Sequence, residues 1–191
     1  MTNLQQRADL YAKAFPKFQP LYVTQTDRIE GLWIMGNNYT TKTNFYGAYP
    51  HGYLPRVMSM FPDKEKIAHL CSGSLPKSDD YLRVDINPDR CPDIVADAEK
   101  LSETIAPSSF DLILVDPPYS KEDAEHYGTV MLSRKKVLAE CHKVLKPGGW
   151  VLWLDQVLPM FAKKNWHWGL AIGMIKSTNH RVRCVFGFEK R

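Results

Sequence analysis

The 191-residue sequence contains no CxxC pair, no long uninterrupted apolar run and no GxG loop. Its four cysteines, Cys71, Cys91, Cys141 and Cys184, stand far apart, with no histidine at ligand spacing. Neither a zinc site nor a disulfide framework is expected, no metal is assigned, and the thiols read as reduced and mostly buried. Charged or polar residues break every apolar stretch before the roughly 18 residues that a membrane helix needs, so no membrane association is expected. Met1 to Phe15 carries Arg7, Asp9 and Lys13 where a secretory signal requires an uncharged apolar block, and the chain is read as cytoplasmic. Repeats, low-complexity tracts and Pro/Gly/Ser linkers are also missing, which leaves a single domain over residues 1–191. The excess of one charge sign over the other is small. The net charge is +4 and the pI near 8.8, under the value of about 9 that marks a dedicated nucleic-acid domain, so an anionic partner is permitted and not required.

What is present suffices for a core, with 44% hydrophobic and 12% aromatic residues. Residues 1–62 are rich in aromatics and turn formers and hold Leu10, Tyr11, Ala14 and Phe15 at helical spacing, which suggests an N-terminal cap or substrate segment. The grammar changes over residues 63–191. Short apolar runs at Ile67–Leu70, Tyr81–Val84, Ile94–Ala96, Leu112–Val115 and Val151–Leu154 lack strict alternation, as strands buried on both faces of a parallel sheet do. Alternation of such runs with polar or helical segments predicts an α/β fold. Val137, Leu138, Cys141, Val144 and Leu145 share one face of a crossover helix, which Pro147-Gly148-Gly149 should end. Trp168–Ile175 and Val182–Phe188, separated by Ser177, Thr178 and Asn179, predict a C-terminal antiparallel hairpin closing the sheet as an edge.

Ligands of open α/β sheets collect at the carboxyl ends of the strands. Leu70-Cys71-Ser72-Gly73 follows the first strand, Asp85-Ile86 the second, Asp97-Ala98 the third and Asp116-Pro117-Pro118-Tyr119 the fourth. Small residues after the first strand let a ligand approach the backbone, and a carboxylate ending the second can accept hydrogen bonds from both hydroxyls of a ribose. Together they describe a nucleoside site. Asp97 could equally cap a helix over Glu99–Ile105.

The stretch Phe110-Asp-Leu-Ile-Leu-Val-Asp-Pro-Pro-Tyr119, with Val137-Leu-Ala-Glu-Cys-His-Lys-Val-Leu-Lys-Pro-Gly-Gly149, resembles the catalytic region of class I amino-methyltransferases that use S-adenosylmethionine, above all the DNA adenine-N6 and cytosine-N4 enzymes. The resemblance covers roughly Tyr49 to the C-terminus, and Tyr49–Arg56 occupies the place of a loop and helix over the methionine end of the cofactor. It implies a Rossmann-like, mostly parallel sheet with helices on both faces and a C-terminal antiparallel hairpin. It also implies S-adenosylmethionine at Leu70, Cys71, Ser72, Gly73, Asp85, Ile86, Asp97 and Ala98. Asp116, Pro117, Pro118 and Tyr119 would be catalytic, Asp116 and the Pro117 carbonyl gripping an exocyclic amine and Tyr119 stacking on the base. Nucleic acid is the implied partner, DNA ahead of RNA. The alternatives are a methyltransferase for RNA or protein glutamine, and a noncatalytic subunit.

The sequence departs from that family at the first loop. His69 stands at an acidic place, Cys71 and Leu75 stand at glycine places, and only Gly73 remains. Cys71 to Asp80 is too short for a full crossover helix, since such a unit takes about 10 to 12 residues. His69 reads as an ordinary buried histidine. Tyr46, Tyr49, Tyr53 and Arg56, among Lys42, Phe45 and His51, mix stacking groups with cations as single-strand binders do, or form a packed cap. With about 60 residues before the sheet to recognise a target, a relaxed target or a partner subunit is expected.

Overall fold

The computed structural model describes residues 4–36, 49–176 and 182–191. Helix α1 (Leu4–Ala14) leads into strands β1 (Leu21–Thr24) and β2 (Arg28–Met35), then α2 (Tyr53–Ser59). The core follows as β3 (Ile67–Leu70), β4 (Leu82–Asp85), β5 (Ile94–Val95), β6 (Phe110–Val115), α3 (Lys121–His126), α4 (Arg134–Val144), β7 (Leu145–Asp155), β8 (Trp166–Lys176) and β9 (Val182–Lys190). All nine strands form one sheet in the order β1-β2-β8-β9-β7-β6-β3-β4-β5. From β3 onward the spatial order is third, second, first, fourth, fifth, seventh, sixth, with only β9 reversed. This is the strand order of the mostly parallel, Rossmann-like sheet that the resemblance implies. Among the described residues no helix is long and apolar enough to cross a membrane.

Period two along the central strands divides the core. Leu112 and Leu114 of β6 face the cluster built by α1 and α2, whereas Ile113 and Val115 face the one built by α4. Helices therefore lie on both faces, as expected. The sheet also needs close approach at one spot. A Cβ at Gly187 would sit 2.6 Å from Leu170 Cβ, and one at Gly169 would sit 2.7 Å from the Trp150 ring, so glycine lets that indole, 1% exposed, lie against β8 and β9.

Four expectations are corrected. The first 62 residues do not merely cap the core, because β1 and β2 extend the sheet, β2 pairing in parallel with β8. Ile29, Trp33 and Met35 point inward on alternate positions of β2, and the turn before it is made at Asp27, with φ +54°. Second, β9 is not an edge. It lies between β7 and β8, and Val185, Phe186, Gly187 and Phe188 are buried in succession, as a strand covered on both faces requires. Third, Pro147-Gly148-Gly149 does not end the crossover helix. α4 stops at Val144, the chain passes directly into β7, and the Pro-Gly pair with Gly148 at φ +69° lies where the β6–β7 register shifts. Fourth, Ala98–Glu103 is a 3₁₀ segment kinked at Lys100, where an α-helix to Ile105 was expected.

Helix α1 exists where the spacing predicts it, but the buried face is Leu4, Arg7, Ala8 and Tyr11. Arg7 belongs to that face because its guanidinium donates to Met60 O at 2.7 Å, pairs with Asp63 at 2.9 Å and lies over Phe61. As the short spacing implies, the connection from β3 to β4 contains no helix.

Candidate functional site

Residues 71–73 continue directly from buried β3 and fold the chain back over its carboxyl end. Ser72 N–H donates to Val84 O at 3.2 Å and Leu75 N–H to Ser72 O at 3.0 Å, and both Cys71 and Gly73 adopt positive φ, +55° and +52°. The glycine-type backbone of this loop is thus retained at Cys71 although a side chain is present. A left-handed non-glycine residue costs about 1–2 kcal/mol, partly offset by the roughly 0.5–1 kcal/mol that glycine loses in chain entropy. Cys71→Gly should therefore be more stable than Cys71→Ala by about 0.5–1 kcal/mol, since both lose the thiol and only one loses the strain. Equal urea midpoints for the two variants would disprove the strain.

Asp85 at the end of β4 faces this loop. One carboxylate oxygen accepts Gly73 N–H at 2.8 Å and the other accepts Asn87 N–H at 3.0 Å. The side chain fastens the first loop to the second. Ile86, beside it, is 47% exposed, while Leu70 and Ser72 are buried. Asp97 caps the 3₁₀ segment, accepting Glu99 N–H at 2.8 Å, with Ala98 half-buried behind it.

Asp116 directly follows β6, and its N–H reaches back to Leu70 O at 3.5 Å. Pro117 and Pro118 are buried, whereas Asp116 and Tyr119 remain half-buried. The Tyr119 hydroxyl donates to Asp116 Oδ1, and the Arg183 guanidinium from β9 covers the Tyr119 ring at 4.7 Å. Burial raises the Asp116 carboxyl to about 6, against the opposing influence of the Tyr119 hydrogen bond and the Arg183 charge. Burial likewise drives the Tyr119 phenol and the Cys71 thiol upward, so both stay protonated at neutral pH. Tyr119 thus offers one ring face at most to a base, because Arg183 holds the other.

Three side chains that the sequence reading did not assign to the site complete the arrangement. Asp155, fully buried at the end of β7, pairs with Arg134 at 2.7 Å and accepts from Trp153 Nε1 at 3.0 Å. Arg134, the first residue of α4, also donates to Tyr119 O at 3.2 Å. Reading the residue that ends the fifth strand as the first four were read would have pointed to Asp155. Arg183 carries no such signal, being one of three charged residues in β9 with Glu189 and Lys190.

The aromatic and basic residues before the core are mostly packed. Tyr46, with Lys42 and Phe45, lies outside the described residues. Tyr53 is fully buried and Arg56 is 6% exposed, so neither presents a stacking surface, which corrects that expectation: α2 faces them inward against the sheet. Tyr49 stacks on Tyr53 at 5.1 Å, and its hydroxyl is 3.1 Å from His69 Nδ1. His69 is buried, and burial lowers it to about 4, which keeps the ring neutral. The cysteines are less buried than expected. Cys141 is buried, Cys71 and Cys184 are intermediate and Cys91 is exposed. Among the described residues no group of three His, Cys, Asp or Glu comes together to hold a metal ion.

No family model matches the chain, and no curated protein is similar to it. Similar solved structures include TrmN from Thermus thermophilus, at 18% identity and TM-score 0.49 over 66% of this chain and 44% of that one. NodS from Bradyrhizobium japonicum, an N-methyltransferase in complex with S-adenosyl-L-homocysteine, is 11% identical with TM-score 0.46 over 66% of this chain and 78% of its own. A TehB-like SAM-dependent methyltransferase from Corynebacterium glutamicum is 12% identical with TM-score 0.41 over 66% and 80%. This chain thus spans less than half the length of TrmN. At these identities the likeness is one of fold.

Proposed function

We propose that the chain is an S-adenosylmethionine-dependent methyltransferase whose acceptor is the exocyclic amine of a nucleobase, adenine N6 in DNA ahead of cytosine N4. The observation that carries this reading is the placement of Asp116-Pro117-Pro118-Tyr119. It lies at the carboxyl end of the fourth core strand, where Asp116 adjoins the Leu70–Gly73 turn. The residues present fit the cofactor. A carboxylate has about four lone-pair positions, and the two backbone donors on Asp85 leave two for ribose hydroxyls. Exposed Ile86 and the Asp97–Ala98 corner supply walls for an adenine ring. When bound, the sulfonium supplies a methyl group that is already activated.

What remains for the protein is alignment. An exocyclic amine is a poor nucleophile because its lone pair is delocalised into the ring. Asp116 Oδ2 can accept one amine hydrogen while Oδ1 keeps the Tyr119 hydroxyl, and the Pro117 carbonyl can accept the other. The nitrogen then shifts toward tetrahedral geometry with its lone pair aimed at the methyl. Good positioning of this kind contributes up to about 7–11 kcal/mol. A base within a duplex would have to leave the stack to reach the carboxylate. A relaxed target or a partner subunit belongs to this reading, and a cytoplasmic location suits such a substrate.

Transfer of labelled methyl to DNA, RNA and total protein, each with Asp116→Ala as control, tests the reading. Label on DNA that disappears with the variant is the expected result, and label on protein alone would end the nucleobase assignment. A noncatalytic subunit is the second reading, favoured by the side chain at Cys71 in a glycine conformation. Calorimetry with S-adenosylmethionine separates the two: absence of binding at millimolar ligand would favour the noncatalytic one.

A further inference from the structure

Among the described residues three arginines are buried, and two of them carry carboxylates: Arg7 pairs with Asp63 and Arg83 with Asp93. Arg56 differs. It is 6% exposed, its Nη1 has no hydrogen-bond partner, and among the described residues no carboxylate pairs with it. Its nearest company is aromatic, with the Phe18 ring 4.3 Å and the Trp33 ring 5.8 Å from Cζ. Burying a cation without a counter-charge is costly, so a fold that keeps one in this state leaves a strong demand for an anion there.

Arg56 lines a cleft of about 810 Å³, within the usual range of small-molecule sites. Phe15, Phe18, Tyr49, Leu54 and Leu75 make much of its wall. None of Gly73, Asp85, Asp97 or Asp116 lines it, although Ser74 and Leu75, which continue the Leu70–Gly73 turn, do. We propose that this cleft binds an organic monocarboxylate with an apolar or aromatic body, its carboxylate paired with the Arg56 guanidinium. The planar fork of donors on arginine matches a carboxylate in a bidentate geometry. Of the described residues that line it, which include His51 and Ser74, Arg56 alone carries a permanent charge; it balances one negative charge, and a phosphate dianion would bring a second. The aromatic lining suits a flat or aliphatic body.

The test is calorimetric titration of the full chain with 2-naphthoate and with its neutral isostere 2-naphthamide. Naphthoate should bind at least about tenfold more tightly than the amide, as expected for a charge-assisted hydrogen bond. Arg56→Gln should abolish that difference by weakening naphthoate alone. Equal affinity of the two ligands, an unchanged naphthoate affinity in the variant, or no naphthoate binding at millimolar concentration overturns the proposal. So does displacement of naphthoate by saturating S-adenosylhomocysteine, which would assign Arg56 to the cofactor. Should Arg56→Gln fail to fold, the ratio of the two affinities on the wild-type chain, with the ¹⁵N shift of the Arg56 guanidinium on titration, decides. Because neither titration needs methyl transfer, the cleft and the proposed enzymatic function can fail separately.

Discussion

Asp116→Asn is expected to lower the methyl-transfer rate by about 10²–10³-fold, the usual loss when one preorganised electrostatic contact is removed from a reacting group. The amide keeps the shape and a hydrogen bond to Tyr119, but it cannot offer a charged acceptor to the amine. The same carboxylate dictates the pH dependence. Since burial raises it to about 6, the wild-type rate should fall roughly tenfold per pH unit below that point as the acceptor is protonated. Tyr119→Phe removes a hydrogen bond that stabilises the anion, so its acidic limb should move to higher pH. Stability runs the other way. A carboxyl raised in the fold favours the native state while protonated, and that contribution is lost as pH rises from about 4 through about 6. Melting curves of wild type and Asp116→Asn should therefore diverge across that window, the variant gaining on the wild type as pH rises. A rate that is flat from pH 5 to pH 8, or a variant with more than a tenth of wild-type activity, would remove Asp116 from the chemistry.

How far the sequence could be read depended on whether the signal was local. The buried strands β3, β6 and β7 announce themselves as apolar runs because both faces are covered, and the helix α4 does so through its period. Strand β2 was harder, since only Ile29, Trp33 and Met35 face the core and the partner that buries them, β8, lies more than 130 residues away in the chain. The position of β9 between β7 and β8 is likewise a pairing choice that no window of sequence contains. In the candidate site, Asp85, Asp97 and Asp116 were legible because carboxylates ending strands follow from topology. Their actual bonds were not. The link from Asp85 to Gly73 N–H and the Arg183 cover on Tyr119 are long-range contacts between separate loops or strands. Tyr53 and Arg56 misled for a physical reason: stacking groups mixed with cations also pack against one another, as Arg56 does on Phe18 and Trp33.

Arg134→Met should cost about 3–5 kcal/mol, the range for breaking a buried ion pair by removing one partner. The asymmetry of the pair makes the choice of residue matter. Asp155 is fully buried, whereas Arg134 retains 20% side-chain exposure, so deleting the arginine strands the charge that water cannot reach. Trp153 Nε1 and the N–H groups of Gln156 and Val157 still donate to Asp155, which holds the loss to that range and keeps the end of β7 folded. For a chain of this length, each kcal/mol lowers the melting temperature by about 2–4 °C, and the variant should melt roughly 6–20 °C below wild type. A second consequence separates this arginine from a purely structural one. Its Nη2 also holds Tyr119 O at 3.2 Å, so the loop after β6 is tied to α4 and β7 through a single side chain. Loosening that tie should displace the Tyr119 hydroxyl from Asp116 and raise the acidic limb of the rate profile, as Tyr119→Phe does. Arg134→Lys restores the charge without the fork, and should recover part of the stability while leaving the limb shifted. A melting temperature within 2 °C of wild type for Arg134→Met would show that the three remaining donors suffice for Asp155 and that the pair contributes little.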